Sequence, residues 1–366
     1  MRRGGTARPG WCGSGKSEFM ESPGTGGHRG VEIWLWLTAA LVFVMIVVGG
    51  ATRLTDSGLS ITEWKPILGA IPPLHDTDWQ AAFEKYKQIP EYHLVNKGMA
   101  LEDFKFIFWW EWGHRFLGRL IGLVFALPLA VFWWTGRIRT GLAPKLLSLL
   151  GLGGLQGAIG WYMVSSGLSE RIDVSQYRLA LHLSVAFAIL SLLVWLALEE
   201  RWHRLGFARE TVGAGVRRLA TILLGLVFVQ VGLGAFVAGL KAGLVYNTWP
   251  SMNGQFVPSD YWTGDRGLLS LFESHAAVQF NHRLTAYALL IAALVQASFV
   301  FADPKGSHVR TSASVLAAAV TVQASLGIWT LLAHVPLGLG LMHQGGAAIV
   351  MGLAVWHLHA TRRAAA

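Results

Sequence analysis

Eight apolar stretches, each about the 20 residues that a helix needs to cross a bilayer, narrow this chain to one class of fold. They run at roughly 33–52, 113–135, 145–167, 179–198, 217–239, 282–301, 311–333 and 337–358. In lipid every backbone amide and carbonyl must be paired within the protein, and a helix achieves this segment by segment. Composition agrees: 53% of the 366 residues are hydrophobic and 14% charged, with 17 Trp, unlike a domain with an ordinary wetted surface. The expectation is an all-α integral membrane protein of eight transmembrane helices.

A net charge of +9 could suggest a nucleic-acid partner, but its distribution points to a membrane instead. With both termini in the cytoplasm, the inner segments carry 17 Lys and Arg against 7 Asp and Glu, and the outer loops 10 against 14. That is the positive-inside bias, so no nucleic acid is expected. Residues 1–30 are rich in Gly, Arg and Ser without apolar periodicity and read as a disordered cytoplasmic tail. The first apolar run, Ile33 to Gly50, is longer than a secretory signal core and lacks a clear cleavage site; Met20 is an alternative start. Cys12, in that tail, is the only cysteine, so thiol chemistry is not expected.

The chain repeats itself. FWWEWGHRFLGRLIG, Phe108 to Gly122, places Glu111, His114, Arg115 and Arg119 at the mouth of an apolar segment, and QFNHRLTAYALL, Gln279 to Leu290, is its weaker copy. Gln279, His282 and Arg283 each follow Glu111, His114 and Arg115 by 168 residues. Gln323 and Gly327 follow Gln156 and Gly160 by 167, and His343 follows His182 by 161. One position changes chemistry, the acid Glu111 becoming the amide Gln279. Four spans per repeat keep both halves in one orientation, as two tandem four-helix bundles related by a pseudo-two-fold axis along the membrane normal. The units expected are 31–200, a linker at 201–216, and 217–360. In the first outer loop, Trp79, Phe83 and Tyr86 fall on one side of a short helix over 78–87, either lying on the membrane face or an ordinary amphipathic loop helix.

His114, His182, His282 and His343 all lie near the outer ends of their spans, two in each half. One histidine alone is more often a hydrogen-bonded core residue, but four at matched positions within spans point to function. Gly118 and Gly122 leave a bare strip below His114, where a flat ring can lie; Ala186, Ala286 and Ala347 lie one turn below the others. Two imidazoles per half suit haem iron, whose porphyrin supplies four nitrogens, and bundle cores are where such cofactors bind. Zinc needs more protein donors. Arg115 and Arg283 are placed to pair with haem propionates, with Arg119 and Arg53 as secondary candidates and Gln156 and Gln323 near the ligands. Glu111, three residues before His114, can accept a proton, position water or stabilise positive charge; its bland alternative is a helix N-terminal acid. The eight other histidines of the spans and loops, His275 and His334 among them, read as bystanders.

TRLTDSGLSITEWKPILGAIPPL, NKGMALEDFKFIFWWEWGHRFLGR, LQGAIGWYMV, NTWPSMNG, QFNHR and MHQGGA resemble the haem A synthase family of cytochrome oxidase assembly, in its proteobacterial and mitochondrial form, over about residues 31–360. The resemblance implies oxidation of the C8 methyl of haem O, through an alcohol, to the formyl group of haem A. It implies that the N-terminal half, with His114, His182 and Glu111, takes the substrate, and that the C-terminal half, with His282 and His343, holds haem b. It further implies a bacterial inner membrane location with haem sites toward the periplasm. The partners it brings are haem O, haem A, the lipid bilayer, and haem O synthase or cytochrome oxidase assembly factors, with homo-oligomerisation left open. Other members carry cysteine pairs in the outer loops; this chain has none. The competing reading is a two-haem membrane cytochrome b that carries electrons, although its haems would be stacked toward opposite faces. A prenyltransferase would need Asp-rich diphosphate motifs, and a transporter would not explain the paired histidines.

Overall fold

The computed structural model describes residues 25–169, 171–206 and 212–362. Its helices in chain order are α1 (Thr25–Leu54), α2 (Asp76–Tyr86), α3 (Pro90–Leu94), α4 (Leu101–Trp134), α5 (Ala143–Val164), α6 (Gln176–Leu205), α7 (Ala214–Gly239), α8 (Ser270–Glu273), α9 (His275–Ala302), α10 (Arg310–Leu332) and α11 (Leu337–Thr361). Eight helices among the described residues are long and apolar enough to cross a membrane, and each apolar window read from the sequence falls on one of them. Of the expected tail and linker, residues 1–24 and 207–211 lie outside the described residues, whereas 25–30 belong to α1.

α4 starts at Leu101, well before the apolar window at 113, because its first turns have a packing partner. Phe104, Ile107 and Phe108, at helical spacing, are buried against Trp79, Phe83 and Tyr86 of α2. The ring centroids of Trp79 and Phe108 lie 5.0 Å apart, as do those of Phe83 and Phe104. α2 therefore buries its aromatic side on protein, and the extension of α4 carries Glu111 well inside a helix. α9 likewise begins at His275, capped by Ser274, whose hydroxyl accepts from the Ala277 amide at 3.2 Å, a favourable start for a helix.

The long helices form two rings with the same neighbour order. α1 packs against α4 and α6, with α5 beside both; α7 packs against α9 and α11, with α10 beside both. α6 with α7, α1 with α11 and α6 with α11 join the rings, and one apolar core, including Phe187, Leu193, Met351 and Val355, runs through the junction. Gly50 is required there: a Cβ on it would collide with the side-chain oxygen of Gln344, whose amide reaches across from α11 to donate to the Ile46 carbonyl at 2.6 Å. On the far side of α4, Leu123, Leu127 and Val131 form an exposed apolar strip, a surface suited to lipid.

Candidate functional site

Each of the four repeated histidines faces a glycine of a neighbouring helix. A Cβ built on Gly49 of α1 would stand 3.2 Å from His114 Nε2, and one on Gly160 of α5 would stand 3.0 Å from His182 Cε1. In the other ring, Gly234 of α7 and Gly327 of α10 meet Cε1 of His282 and His343 at 3.1 and 2.7 Å. A side chain at Gly327 would force the His343 ring to move, and one at Gly49, Gly160 or Gly234 would press on its ring by a few tenths of an ångström. Gly160 and Gly327 were visible as part of the repeat; Gly49 and Gly234 were not, because their partners are remote in sequence.

Amide side chains stand beside three of the rings. Gln156 Nε2 donates to the His182 carbonyl at 2.9 Å, and Gln323 Nε2 donates to the His343 carbonyl at 2.7 Å while lying 3.0 Å from its Nδ1. Gln230 Nε2 stands 3.3 Å from His282 Nε2. Counted back from the matched glycines Gly234 and Gly49, the position of Gln230 corresponds to Met45 on α1, so α1 carries a thioether where α7 carries the amide that meets His282. Lining up α1 with α7 at a spacing of 185 residues is the signal that would have found this pair.

The histidines fit an iron macrocycle. Buried ring nitrogens are expected to have partners, yet Nδ1 of His182 and Nδ1 of His282, one in each ring of helices, have none. The His282 and His343 ring centroids are 6.4 Å apart with the planes at 81°. Metal–imidazole bonds are about 2.0–2.1 Å long, so this separation is compatible with a metal held between the two rings. Among the described residues no group of three or more His, Cys, Asp or Glu is placed to hold a metal ion.

In the N-terminal ring His114 and His182 line one cavity together with Glu111, Arg115, Met45 and Gly49. Glu111 is 2% exposed. Its Oε2 accepts from the Ser60 hydroxyl and the Ile61 amide, both at 2.7 Å, and its Oε1 accepts from Arg115 at 2.6 Å. Gln279, 3% exposed, accepts from Arg283 at 2.9 Å and donates to the Ala242 carbonyl at 2.8 Å. One framework thus carries an acceptor aimed at donors in the first ring and a donor aimed at an acceptor in the second.

The arginines also bind the outer loops. Arg115 donates to the carbonyls of Glu63 and Ile61 at 2.9 and 2.8 Å, and Arg283 to those of Thr248 and Tyr246 at 2.9 and 2.8 Å. Arg119 donates to the carbonyls of Pro66 and Lys65 at 2.7 and 3.0 Å and is not among the cavity residues. Arg53 is on the cavity and pairs with Asp56 at 2.9 Å and Asp173 at 3.4 Å. Gly118 faces Met45, whose Cε would be 3.5 Å from an added Cβ. Of the bystander histidines, His357 is fully buried and satisfied by Gln296 at 2.7 Å and Ser312 at 2.9 Å.

The fold and site define a class: a multi-span helical membrane protein with a pair of histidines in each of two rings of helices. Residues 32–355 match the COX15-CtaA family model, described as cytochrome oxidase assembly protein. The Heme A synthase of Maricaulis maris is 54% identical over 331 residues, covering 90% of this chain and 96% of that protein. Those of Caulobacter vibrioides and Parvibaculum lavamentivorans are 52% and 50% identical, over 92% and 91% of this chain and 97% and 94% of their own lengths. The chain belongs to this family of cytochrome oxidase assembly proteins.

Proposed function

We propose that this chain is a haem A synthase, a membrane oxidoreductase that converts the C8 methyl of haem O to a formyl group through an alcohol, with its substrate in the N-terminal ring. The observation that carries the assignment of the substrate to that ring is the cavity shared by His114, His182 and Glu111, set against the amide at the matching place in the second ring. His114 and His182 hold and orient the substrate iron. Glu111, held by Ser60, Ile61 and Arg115, keeps a fixed position from which it stabilises positive charge developing at the oxidised methyl carbon, the kind of preorganised electrostatics that contributes most to many enzymatic rates. Arg115 and Arg53, on the same cavity, supply positive charge for the propionates; Arg283 does so in the second ring.

His282 and His343, steadied by Gln230 and Gln323, hold haem b, which supplies a one-electron redox centre when bound. The two bundles are related by an axis along the membrane normal, with both termini cytoplasmic and the haem sites toward the periplasmic face of a bacterial inner membrane. This reading implies haem O synthase or cytochrome oxidase assembly factors as partners and leaves room for a homo-oligomer.

The test is extraction and chromatographic identification of the haems bound to purified protein from cells that make haem O. Wild type is expected to carry haem b, haem O and oxidised haem, with the oxidised species lost in Glu111→Gln. Haem b alone in both proteins, with haem O available in the cells, would instead indicate the two-haem electron carrier.

A further inference from the structure

A second buried acid opens on the same cavity, and its surroundings differ from those of Glu111. Glu91 lies in α3, where its carbonyl accepts from the amides of Val95 and Asn96 at 2.9 and 3.1 Å, fixing the turn. The residue is 4% exposed. Tyr86, which neighbours it, accepts from Asn96 Nδ2 at 2.7 Å. The Glu91 Oε2 is buried without any hydrogen-bond partner, a state that native proteins avoid unless the atom has work to do. Glu91 lines the cavity together with His114, His182 and Glu111.

Asp56 and Asp173 also line the cavity. They are bridged by Arg53 at 2.9 and 3.4 Å and by Lys241 at 3.0 and 3.5 Å. The Asp56 and Asp173 side chains are 49% and 31% exposed, so this pair stands between the cavity and solvent. Glu111, in contrast, has both oxygens committed to donors.

We propose that Glu91 is the proton-exchanging carboxyl of the substrate cavity, passing protons between the reacting carbon's surroundings and the Asp56–Asp173 pair, while Glu111 serves as the immobile charge. This rests on the reading above that the cavity takes haem O. With water as oxygen donor and an external one-electron acceptor as oxidant, the alcohol stage is R–CH3 + H2O → R–CH2OH + 2 H+ + 2 e−, and the formyl stage is R–CH2OH → R–CHO + 2 H+ + 2 e−. Electrons go to the acceptor; the protons must leave a cavity walled by apolar helices. Glu91 takes up a proton on its free oxygen and gives it to the aspartates.

Electrostatics support this role. Burial, followed by the charges of Asp56, Asp173 and Glu111, pushes the Glu91 carboxyl up to about 8, in the range where a group both accepts and releases protons at working pH. Arg53 and Arg115 are the cations on the same cavity.

The test uses the full-length protein loaded with haem O, as wild type, Glu91→Gln and Glu91→Asp. Infrared spectra read the carbonyl stretch of a protonated carboxyl as pH is raised, and haem extraction reads bound haem O and its oxidised products. The expected result is a band in the wild type that disappears near pH 8 and is absent from Glu91→Gln. That variant should keep haem O while its oxidation falls at least about tenfold, and Glu91→Asp should retain the band and part of the turnover. Wild-type turnover should rise with pH toward a plateau above about 8, a dependence lost in Glu91→Gln. A band that persists in Glu91→Gln, or wild-type turnover by that variant, overturns the proposal. Failure of the underlying site reading would show separately, as haem O kept at wild-type occupancy in the His114→Ala/His182→Ala double variant.

Discussion

Glu111 and Gln279 stand at matched positions three residues before His114 and His282, each bound to the arginine four residues on, and they face unlike partners. Glu111 collects the Ser60 hydroxyl and the Ile61 amide, whereas Gln279 gives a hydrogen to the Ala242 carbonyl. Met45 of α1 against Gln230 of α7 is a second such difference. A third is Gln344, which sits next to His343 but reaches the cavity of the other ring; the residue after His182 is Leu183. The repeated framework keeps its glycines and histidines in matched places, and it diverges in the groups that set charge and hydrogen bonding around them.

The sharpest way to break this comparison is to erase its charged difference. Glu111→Gln should lower the yield of oxidised haem by about a hundredfold, the scale of losing one preorganised electrostatic group, while haem O stays bound, as read by haem extraction. The converse change, Gln279→Glu, turns a donor into an acceptor facing the Ala242 carbonyl at 2.8 Å. It should cost about 1–3 kcal/mol for the unsatisfied buried groups, seen as a lower midpoint of thermal unfolding in detergent, with no gain of oxidation in the second ring.

Smaller effects sharpen the picture. Burial and the neighbouring acids raise the Glu91 carboxyl from 4.5 to about 8. A raised carboxyl contributes stability that is complete below about 4.5 and is lost as pH climbs to about 8, because the unfolded chain releases that proton first. Thermal stability should therefore fall across that interval, and Glu91→Gln should remove this part of the slope. The smallest effect is expected from Met45→Gln, which gives α1 an amide at the place matching Gln230. A neutral hydrogen bond contributes about 0.5–1.5 kcal/mol, so haem O retention, followed by its optical spectrum during dilution, should strengthen severalfold.

The eight helices, the pairing of the histidines and the change from Glu111 to Gln279 were legible because each repeats at a fixed spacing or fills a window of bilayer length. Contacts between distant segments were not. Gly49 reads from the sequence as a place where helices pack closely, but that it and Gly234 face histidines of α4 and α9 is seen only in the structure. The extension of α4 to Leu101 depends on α2 covering Phe104 and Phe108, which no window of hydropathy reports. Arg115 and Arg283 suggested propionate partners by their place beside the ligands, while the loop carbonyls that they also hold come from residues about 50 and 35 positions away. Glu91 gave no signal at all: a lone acid in an irregular loop becomes notable only when burial and a free oxygen are seen together.

The central claim, that the two rings hold different haems for different purposes, is tested most directly by the haem inventory of two double variants purified from cells that make haem O. His114→Ala/His182→Ala should retain haem b and contain neither haem O nor oxidised haem, and His282→Ala/His343→Ala should lose haem b while still binding haem O. Loss of the same haem from both variants, or haem O persisting in the first, would contradict the account.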